Sequence, residues 1–149
     1  MLFHYTLERS THSVWPLGGR WVRPRPMIPV TVVGPLQAKP VDSLIDTGSD
    51  DTVFPELMAA FIGIDLSQAP RGRATGVGRI AYPVRYAEVR LLVTDGKEYR
   101  DWPARVGFTS AALRQSLLGF AGFLQFFTAI CRGDREEAEL TINSLYPGT

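Results

Sequence analysis

Residues 41–55 read V-D-S-L-I-D-T-G-S-D-D-T-V-F-P, and this stretch decides the fold. Its centre places an acid, Asp46, at the end of an apolar pair, residues 44–45, and follows it with Thr47 and Gly48. A glycine two residues after the acid lets the backbone turn sharply and approach another backbone closely, because it has no Cβ. The threonine hydroxyl is available to brace that turn by hydrogen bonding. The pattern therefore predicts a carboxylate held in a loop at the end of a strand.

A second informative segment, residues 71–90, contains the triplet G-V-G at positions 76–78. With Ala81 the triplet matches the dinucleotide-binding pattern G-x-G-x-x-A. That interpretation fails on context, because residues 71–75 make a poor buried strand and Pro83 obstructs the helix that should follow. By itself the segment is compatible with an ordinary glycine hairpin, because glycines supply the backbone freedom of a tight turn.

The rest of the pattern predicts short strands and little helix. Runs of β-branched and apolar residues predict the strands, while Pro55, Glu56 and Gly63 suit the start and the stop of a short helix. The predicted strands lie at residues 28–33, 37–45, 84–93, 98–106, 128–131 and 138–142, and the predicted helix lies at residues 57–62.

A third informative stretch, residues 116–127, reads S-L-L-G-F-A-G-F-L-Q-F-F. Alone, its L-L-G triplet is a common strand end. Taken in order with the acid loop and the glycine hairpin, it resembles the pattern of the retroviral-type aspartic proteases, the retropepsins. That pattern is apolar-apolar-Asp-Thr-Gly, then a flap hairpin with a Gly-apolar-Gly tip, then apolar-apolar-Gly leading into a short helix. The resemblance extends over roughly residues 28–127, and residues 43–54 fit the first motif without interruption.

The resemblance implies an all-β, single-domain retropepsin-like acid protease fold with a closed β-barrel-like core, a flap hairpin and one or two short helices. It implies catalytic roles for Asp46, Thr47 and Gly48. It implies substrate-binding roles for residues of the acid loop and of the flap, namely Ser49, Asp50, Asp51, Gly76, Val77 and Gly78.

One position departs from the viral pattern. Viral members place an arginine directly after the glycine of the third motif, where it pairs with an acid that follows the catalytic triplet. This chain has Phe120 there, so the corresponding link to Asp50 is not expected. The chain therefore looks closer to cellular or bacterial retropepsin-like proteins.

The flanking segments are less informative. Residues 1–27 form an N-terminal arm of uncertain structure, residues 28–143 form the protease-like domain, and residues 144–149 are expected to be a mobile tail. In viral members the terminal strands of two subunits interleave, and the hairpin predicted within residues 128–142 is a candidate for that role.

The N-terminal arm sets Trp15 and Trp21 beside three arginines, Arg20, Arg23 and Arg25. Aromatic and basic residues together can clasp single-stranded nucleic acid. No recognisable nucleic-acid-binding module accompanies them. We therefore expect a solvated basic arm whose two tryptophans pack on the body, with no nucleic-acid partner.

Composition bounds the class of protein. The chain has 149 residues, 45% of them hydrophobic, so it can bury one hydrophobic core. Its formal net charge is +1, so no strong electrostatic field attracts it to nucleic acid or to an anionic membrane. Cys131 is the only cysteine, which excludes an intrachain disulfide and a cysteine-based metal cluster. No secretion signal or membrane span is visible in the pattern. We expect a cytoplasmic protein with no membrane partner.

The leading functional hypothesis is an aspartic endopeptidase without cofactor or metal. Peptide hydrolysis by this chemistry needs two carboxylates, and one chain supplies only Asp46, so a homodimer is implied. Its substrates are expected to be extended peptides with apolar side chains at the cut, held by walls that include Val53, Val77 and Ile80.

Three other functions are less well supported by the sequence. A retropepsin-fold dimerisation or protein-binding module without proteolysis is the alternative. A serine hydrolase using Ser49 fits poorly, because the histidines, His4 and His12, lie in the arm and no G-x-S-x-G context exists. Metalloprotease chemistry lacks its ligands.

Overall fold

The structure is a computed structural model that describes residues 1–76 and 78–148. The described residues form mainly strands. These are β1 (Leu2–His4), β2 (Thr6–Val14), β3 (Arg20–Arg25), β4 (Met27–Val33), β5 (Ala38–Ile45), β6 (Val53–Pro55), β7 (Arg71–Thr75), β8 (Ala81–Thr94), β9 (Tyr99–Thr109), β10 (Ser116–Leu118), β11 (Phe127–Arg132) and β12 (Glu137–Ile142). The helices are α1 (Glu56–Ile62) and the 3-10 turns Trp15–Leu17 and Leu124–Phe126.

Six of these strands close into a ring. The hydrogen-bonded order is β4-β5-β10-β6-β9-β8, and β8 pairs back to β4. β7 adds to the outer end of β8 and so extends beyond the ring. Closure pairs the strand edges within one chain and encloses the core. The predicted all-β retropepsin-like fold with a closed core is confirmed.

The core is built by alternation along the strands. Ile28, Val30 and Val32 of β4 are fully buried, while the residues between them are not, as expected where side chains point to opposite faces of a sheet. Trp102 of β9 is also fully buried, and its indole N–H donates to the carbonyl of Gly122 at 3.1 Å. The ring is therefore filled by side chains rather than by an open channel.

A short strand inserted between two others positions the acid loop. β10 pairs in parallel with β5, from Ser116 opposite Ser43 to Leu118 opposite Ile45, and antiparallel with β6 through Leu117 opposite Val53. The chain between β5 and β6 must therefore loop around the end of β10. That loop is residues 46–52, which contain the Asp-Thr-Gly triplet.

The chain ends meet in a second, three-stranded sheet of order β1-β12-β11. The hairpin expected at residues 128–131 and 138–142 is present as β11 and β12. Both edges of β12 are paired within the chain, one with β1 and one with β11. In this arrangement a strand from a second subunit could join the sheet only at the outer edges of β1 and β11.

The N-terminal arm, whose structure the sequence left uncertain, consists mainly of strands. Residues 6–25 form a hairpin of β2 and β3, and Phe3 of β1 is buried in the core. The expectation that the tryptophans pack on the body is wrong: Trp15 is 89% exposed and Trp21 is 61% exposed. A two-stranded hairpin has no second layer of its own, so its side chains stay in solvent unless the body covers them.

The tail also differs from expectation. Tyr146 is buried, stacks edge-on against Trp102, and donates its hydroxyl to the carbonyl of Asp101 at 2.8 Å. The segment is therefore docked on the body at residue 146 rather than mobile. Among the described residues, no helix has the length and apolar character needed to cross a membrane.

Candidate active site

Asp46 stands at the end of β5, and the backbone fixes its position. Its N–H donates to the carbonyl of Leu118 at 3.1 Å, which continues the β5–β10 pairing by one step. Its Oδ1 accepts the N–H of Gly48 at 3.0 Å, and its carbonyl accepts the N–H of Ser49 at 3.1 Å. The carboxylate is half-buried. The main chain of Asp46 is therefore fixed on both sides, and its side chain is tied to the backbone through Oδ1.

The acid loop is braced against the segment that follows β10. The N–H of Phe120 donates to the carbonyl of Ser49 at 2.9 Å, and the N–H of Ala121 donates to the carbonyl of Asp50 at 2.8 Å. Two backbones approach this closely only because position 119 is glycine. A Cβ at Gly119 would lie 2.1 Å from the carbonyl oxygen of Asp51. The L-L-G motif and the acid loop are therefore one packed unit.

The glycine segment forms the predicted hairpin. β7 pairs with the first part of β8, from Arg71 opposite Arg85 to Thr75 opposite Ala81. The tip closes with the N–H of Arg79 donating to the carbonyl of Gly76 at 3.1 Å, and Gly78 has a φ of 87°. This backbone conformation suits a glycine. Val77, named as a substrate-binding residue, lies outside the described residues.

The hairpin and the acid loop face each other across a cavity of about 430 Å³. From the acid loop and the strands beside it, the lining includes Asp46, Gly48, Ser49, Val53 and Leu117, and from the hairpin it includes Ala74, Thr75, Gly76 and Tyr82. The volume lies within the range usual for ligand pockets in proteins. The arrangement brings one carboxylate to the floor of a cleft beneath a glycine-tipped hairpin.

The expected site residues are distributed unevenly around this cavity. Asp46, Gly48, Ser49 and Gly76 line it, whereas Thr47, Asp50, Asp51 and Gly78 are not part of the lining. Thr47 and Asp50 are exposed. Among the expected apolar walls, Val53 lines the cavity, but Ile80 does not and is 57% exposed.

Sequence reasoning missed a wall and a contact. The wall comes from the end of β9 and the chain that follows it, with Thr109, Ala111 and Leu113. The contact is a 2.7 Å hydrogen bond from the hydroxyl of Tyr86 to Oδ2 of Asp51. Neither has a local sequence signature, because each depends on pairing between distant segments.

The serine and the histidines have partners of their own in the described part of the chain. The hydroxyl of Ser49 donates to the carbonyl of Asp51 at 2.7 Å, while His4 lies beside Glu137 and His12 beside Thr11, so neither imidazole lies beside this serine. Within residues 1–76 and 78–148, no cluster of three His, Cys, Asp or Glu side chains has the spacing to hold a metal ion.

The closed strand ring, the Asp-Thr-Gly loop at the end of β5 and the hairpin above it define a retropepsin-like aspartic protease fold. The chain belongs to the aspartyl protease family, whose model matches residues 28–121. No curated protein sequence gives a significant match.

Two solved structures are similar to this chain. The crystal structure of the retroviral protease-like domain of Ddi1 from Leishmania major is 16% identical, covers 81% of this chain and 90% of its own, and superposes with a TM-score of 0.53. EIAV protease in complex with the inhibitor HBY-793 is 18% identical, covers 64% of this chain and 81% of its own, and has a TM-score of 0.37. The likeness to the Ddi1 domain is a likeness of fold.

Proposed function

We propose that this protein is an aspartic endopeptidase that acts as a homodimer. The observation that carries the proposal is the position of Asp46, whose half-buried carboxylate is held by the N–H of Gly48 and lines the cavity under the flap hairpin. Each chain has one Asp-Thr-Gly triplet. A single carboxylate cannot act at once as the base and as the acid of peptide hydrolysis, so two copies of Asp46 are needed.

The proposed chemistry divides the work between the two copies. One Asp46 is ionised and takes a proton from a water molecule, and the other is protonated and donates a hydrogen bond to the carbonyl of the scissile peptide. Like charges a few ångströms apart do not both ionise readily, so the pair retains one proton. The water oxygen adds to the carbonyl carbon, and proton transfer to the amide nitrogen then allows the C–N bond to break. Thr47 and Gly48 are proposed to brace this pair.

The exposed side of the acid loop supports a second chain at this place. Thr47 and Gly48 are exposed although they adjoin the reacting group. Phe120 is 63% exposed, and its N–H is fixed to the carbonyl of Ser49 at 2.9 Å, so an apolar ring projects beside the loop. Covering such a ring removes apolar surface from water. We propose that Phe120 makes an apolar contact in the dimer where viral members have a charged pair.

The substrate is proposed to be an extended peptide that lies between the acid loop and the flap. Ser49 and Gly76, which line the cavity, together with Asp50, Val77 and Gly78, are proposed to contact it. The apolar walls Val53 and Leu117 favour apolar side chains near the cut.

The compartment proposed for the protein is the cytoplasm. Cys131 is the single cysteine of the sequence and is exposed as a free thiol. Chains that carry exposed free thiols and no disulfide suit a reducing compartment.

The experiment mixes wild-type protein with Asp46→Asn. Asparagine is nearly isosteric, so fold and interface are retained, but it acts neither as base nor as acid. If subunits exchange freely and both aspartates are required, an equal mixture contains about one quarter wild-type pairs, by the symmetry of a twofold dimer. Peptidase activity on an unfolded protein substrate should then fall to about a quarter of that of the same total amount of wild type.

The controls separate the possible outcomes. Subunit exchange is verified first with mass-labelled chains, because frozen homodimers retain about half of the activity. With exchange confirmed, about half means that one chain works alone and contradicts the shared pair. Nearly full activity means that the chemistry lies elsewhere. A wild-type protein that forms dimers but cleaves nothing identifies a non-catalytic binding module instead.

A further inference from the structure

Tyr86 occupies the point where the flap hairpin leaves the body of the protein. Arg85, its neighbour, is opposite Arg71 in the first pair of the hairpin. Tyr86 itself is opposite Gly107 in the β8–β9 pairing of the body. Its N–H donates to the carbonyl of Pro70 at 2.9 Å, just before β7 begins. The residue therefore sits at the base of the flap, where the flap would have to pivot.

The side chain of Tyr86 connects this base to the acid loop. Its hydroxyl donates to Oδ2 of Asp51 at 2.7 Å, and both residues are half-buried. Hydrogen bonds to ionised acceptors are stronger than those between neutral groups. Burial and the neighbouring Asp51 raise the pKa of Tyr86 to about 12, so the phenol remains a donor throughout the pH range in which such a protein works.

The ring of Tyr86 is also in contact with the first strand of the flap. A Cβ placed on Gly72 would lie 2.6 Å from Cε2 of Tyr86 and 2.8 Å from its hydroxyl oxygen, so no larger residue fits without moving the ring. One side chain is thus held between the flap strand β7 and the loop that carries Asp46.

We infer that Tyr86 is a positioning residue that couples the flap to the acid loop, and that Asp51 serves the site through Tyr86 rather than by touching the substrate. The inference rests on the proposed peptidase function. Asp51 does not line the cavity, its Oδ2 is engaged by the phenol, and its carbonyl accepts the hydroxyl of Ser49 at 2.7 Å. Oδ2 and the carbonyl of Asp51 are thus hydrogen-bonded to other residues of the same chain.

The test begins with Tyr86→Phe, which removes the hydroxyl and keeps the ring against Gly72. A loosened flap base weakens the binding of the substrate and of the transition state equally. KM should therefore rise roughly tenfold while kcat stays within about twofold of wild type. Gly72→Ala displaces the ring from the other side and should raise KM in the same way.

The matched control is Tyr146→Phe. It also removes a phenol hydrogen bond, the 2.8 Å bond to the carbonyl of Asp101, but in a part of the core away from the flap. Both variants should lose thermal stability, and only Tyr86→Phe should change KM. Equal kinetic effects of the two variants would mean a merely structural role and would overturn the inference.

A double-mutant cycle with Asp51→Ala tests the second half of the inference. If Asp51 acts through Tyr86, Asp51→Ala should lower kcat/KM little further in a protein that already carries Tyr86→Phe. Asp51→Asn, whose amide oxygen still accepts a hydrogen bond, should retain much of the kcat/KM that Asp51→Ala loses. The contrary result is that Asp51→Ala lowers kcat/KM by the same factor in the Tyr86→Phe protein as in wild type. That result would show that Asp51 contacts the substrate directly and would refute the coupling.

Hydrogen exchange keeps the inference testable if the peptidase proposal fails. Backbone amides of residues 72–75 should exchange faster in Tyr86→Phe than in wild type or Tyr146→Phe, because the flap base opens more often. Unchanged exchange there would overturn the coupling whether or not the wild-type protein cleaves peptides.

Discussion

Gly119→Ala gives the most quantitative test of how the acid loop is held. Its Cβ would lie 2.1 Å from the carbonyl oxygen of Asp51, 2.5 Å from the carbonyl carbon of the same residue, and 2.7 Å from the carbonyl oxygen of Ser49. All three are backbone atoms, so no side chain can rotate away. The backbone of the acid loop itself must therefore move to bring these contacts to tolerable distances.

The expected loss of stability follows from this displacement. Overpacking a filled site costs about 1–3 kcal/mol. Moving the loop also weakens the hydrogen bonds from Phe120 to Ser49 and from Ala121 to Asp50, each worth about 1 kcal/mol. We therefore expect a loss of about 3 kcal/mol in the free energy of unfolding, or a fall in Tm of roughly 6–12 °C for a chain of this size.

The assay is urea denaturation at one fixed protein concentration, since the proposed dimer would make apparent stability depend on concentration. The control is Gly133→Ala, because Gly133 lies in an exposed turn where an added Cβ would have no atom within 4 Å, and this change should alter stability by less than about 0.5 kcal/mol. Peptidase activity, measured where the variant is still folded, should fall further for Gly119→Ala, because Asp46 is attached to the same loop. A Gly119→Ala protein as stable as Gly133→Ala would refute the argument that the two backbones are in contact.

Two further predictions address the flap and the response to pH. Gly78→Val should lower kcat/KM at least about tenfold with little change in stability, because Gly78 has a φ of 87° and lies at an exposed tip. Gly76→Val should have a smaller effect, because Gly76 has no positive φ. Equal kinetics for the two variants in a peptidase assay would contradict this role of the tip. The pKa of Asp95 is held well below its usual range by backbone N–H groups of Glu98, Leu2 and Lys97, so its contribution to stability is present above about pH 4 and is lost as the pH falls further. Asp95→Asn should therefore lower the urea midpoint at neutral pH, and the difference from wild type should shrink on acidification; a constant difference across pH would count against it.

The local features of this fold could be read from the sequence because each depends on neighbouring residues. The strand that ends just before Asp46 and the helix that ends before Gly63 follow from apolar runs and from residues that favour turns and helix ends. The order of acid loop, glycine hairpin and L-L-G element was enough to predict an all-β retropepsin-like fold. These motifs can be recognised in a single sequence because the backbone conformations they require allow few residue types.

The remaining features depend on which distant segments meet, and only the tertiary structure decided them. The approach of Gly119 to Asp51, the hydrogen bond from Tyr86 to Asp51 and the docking of Tyr146 on Trp102 each join residues far apart in the chain. The pairing of β12 on both edges and the exposure of Trp15 likewise follow from sheet topology rather than from composition. A residue's type limits what it can contact, but the closure of the ring determines which partners are within reach.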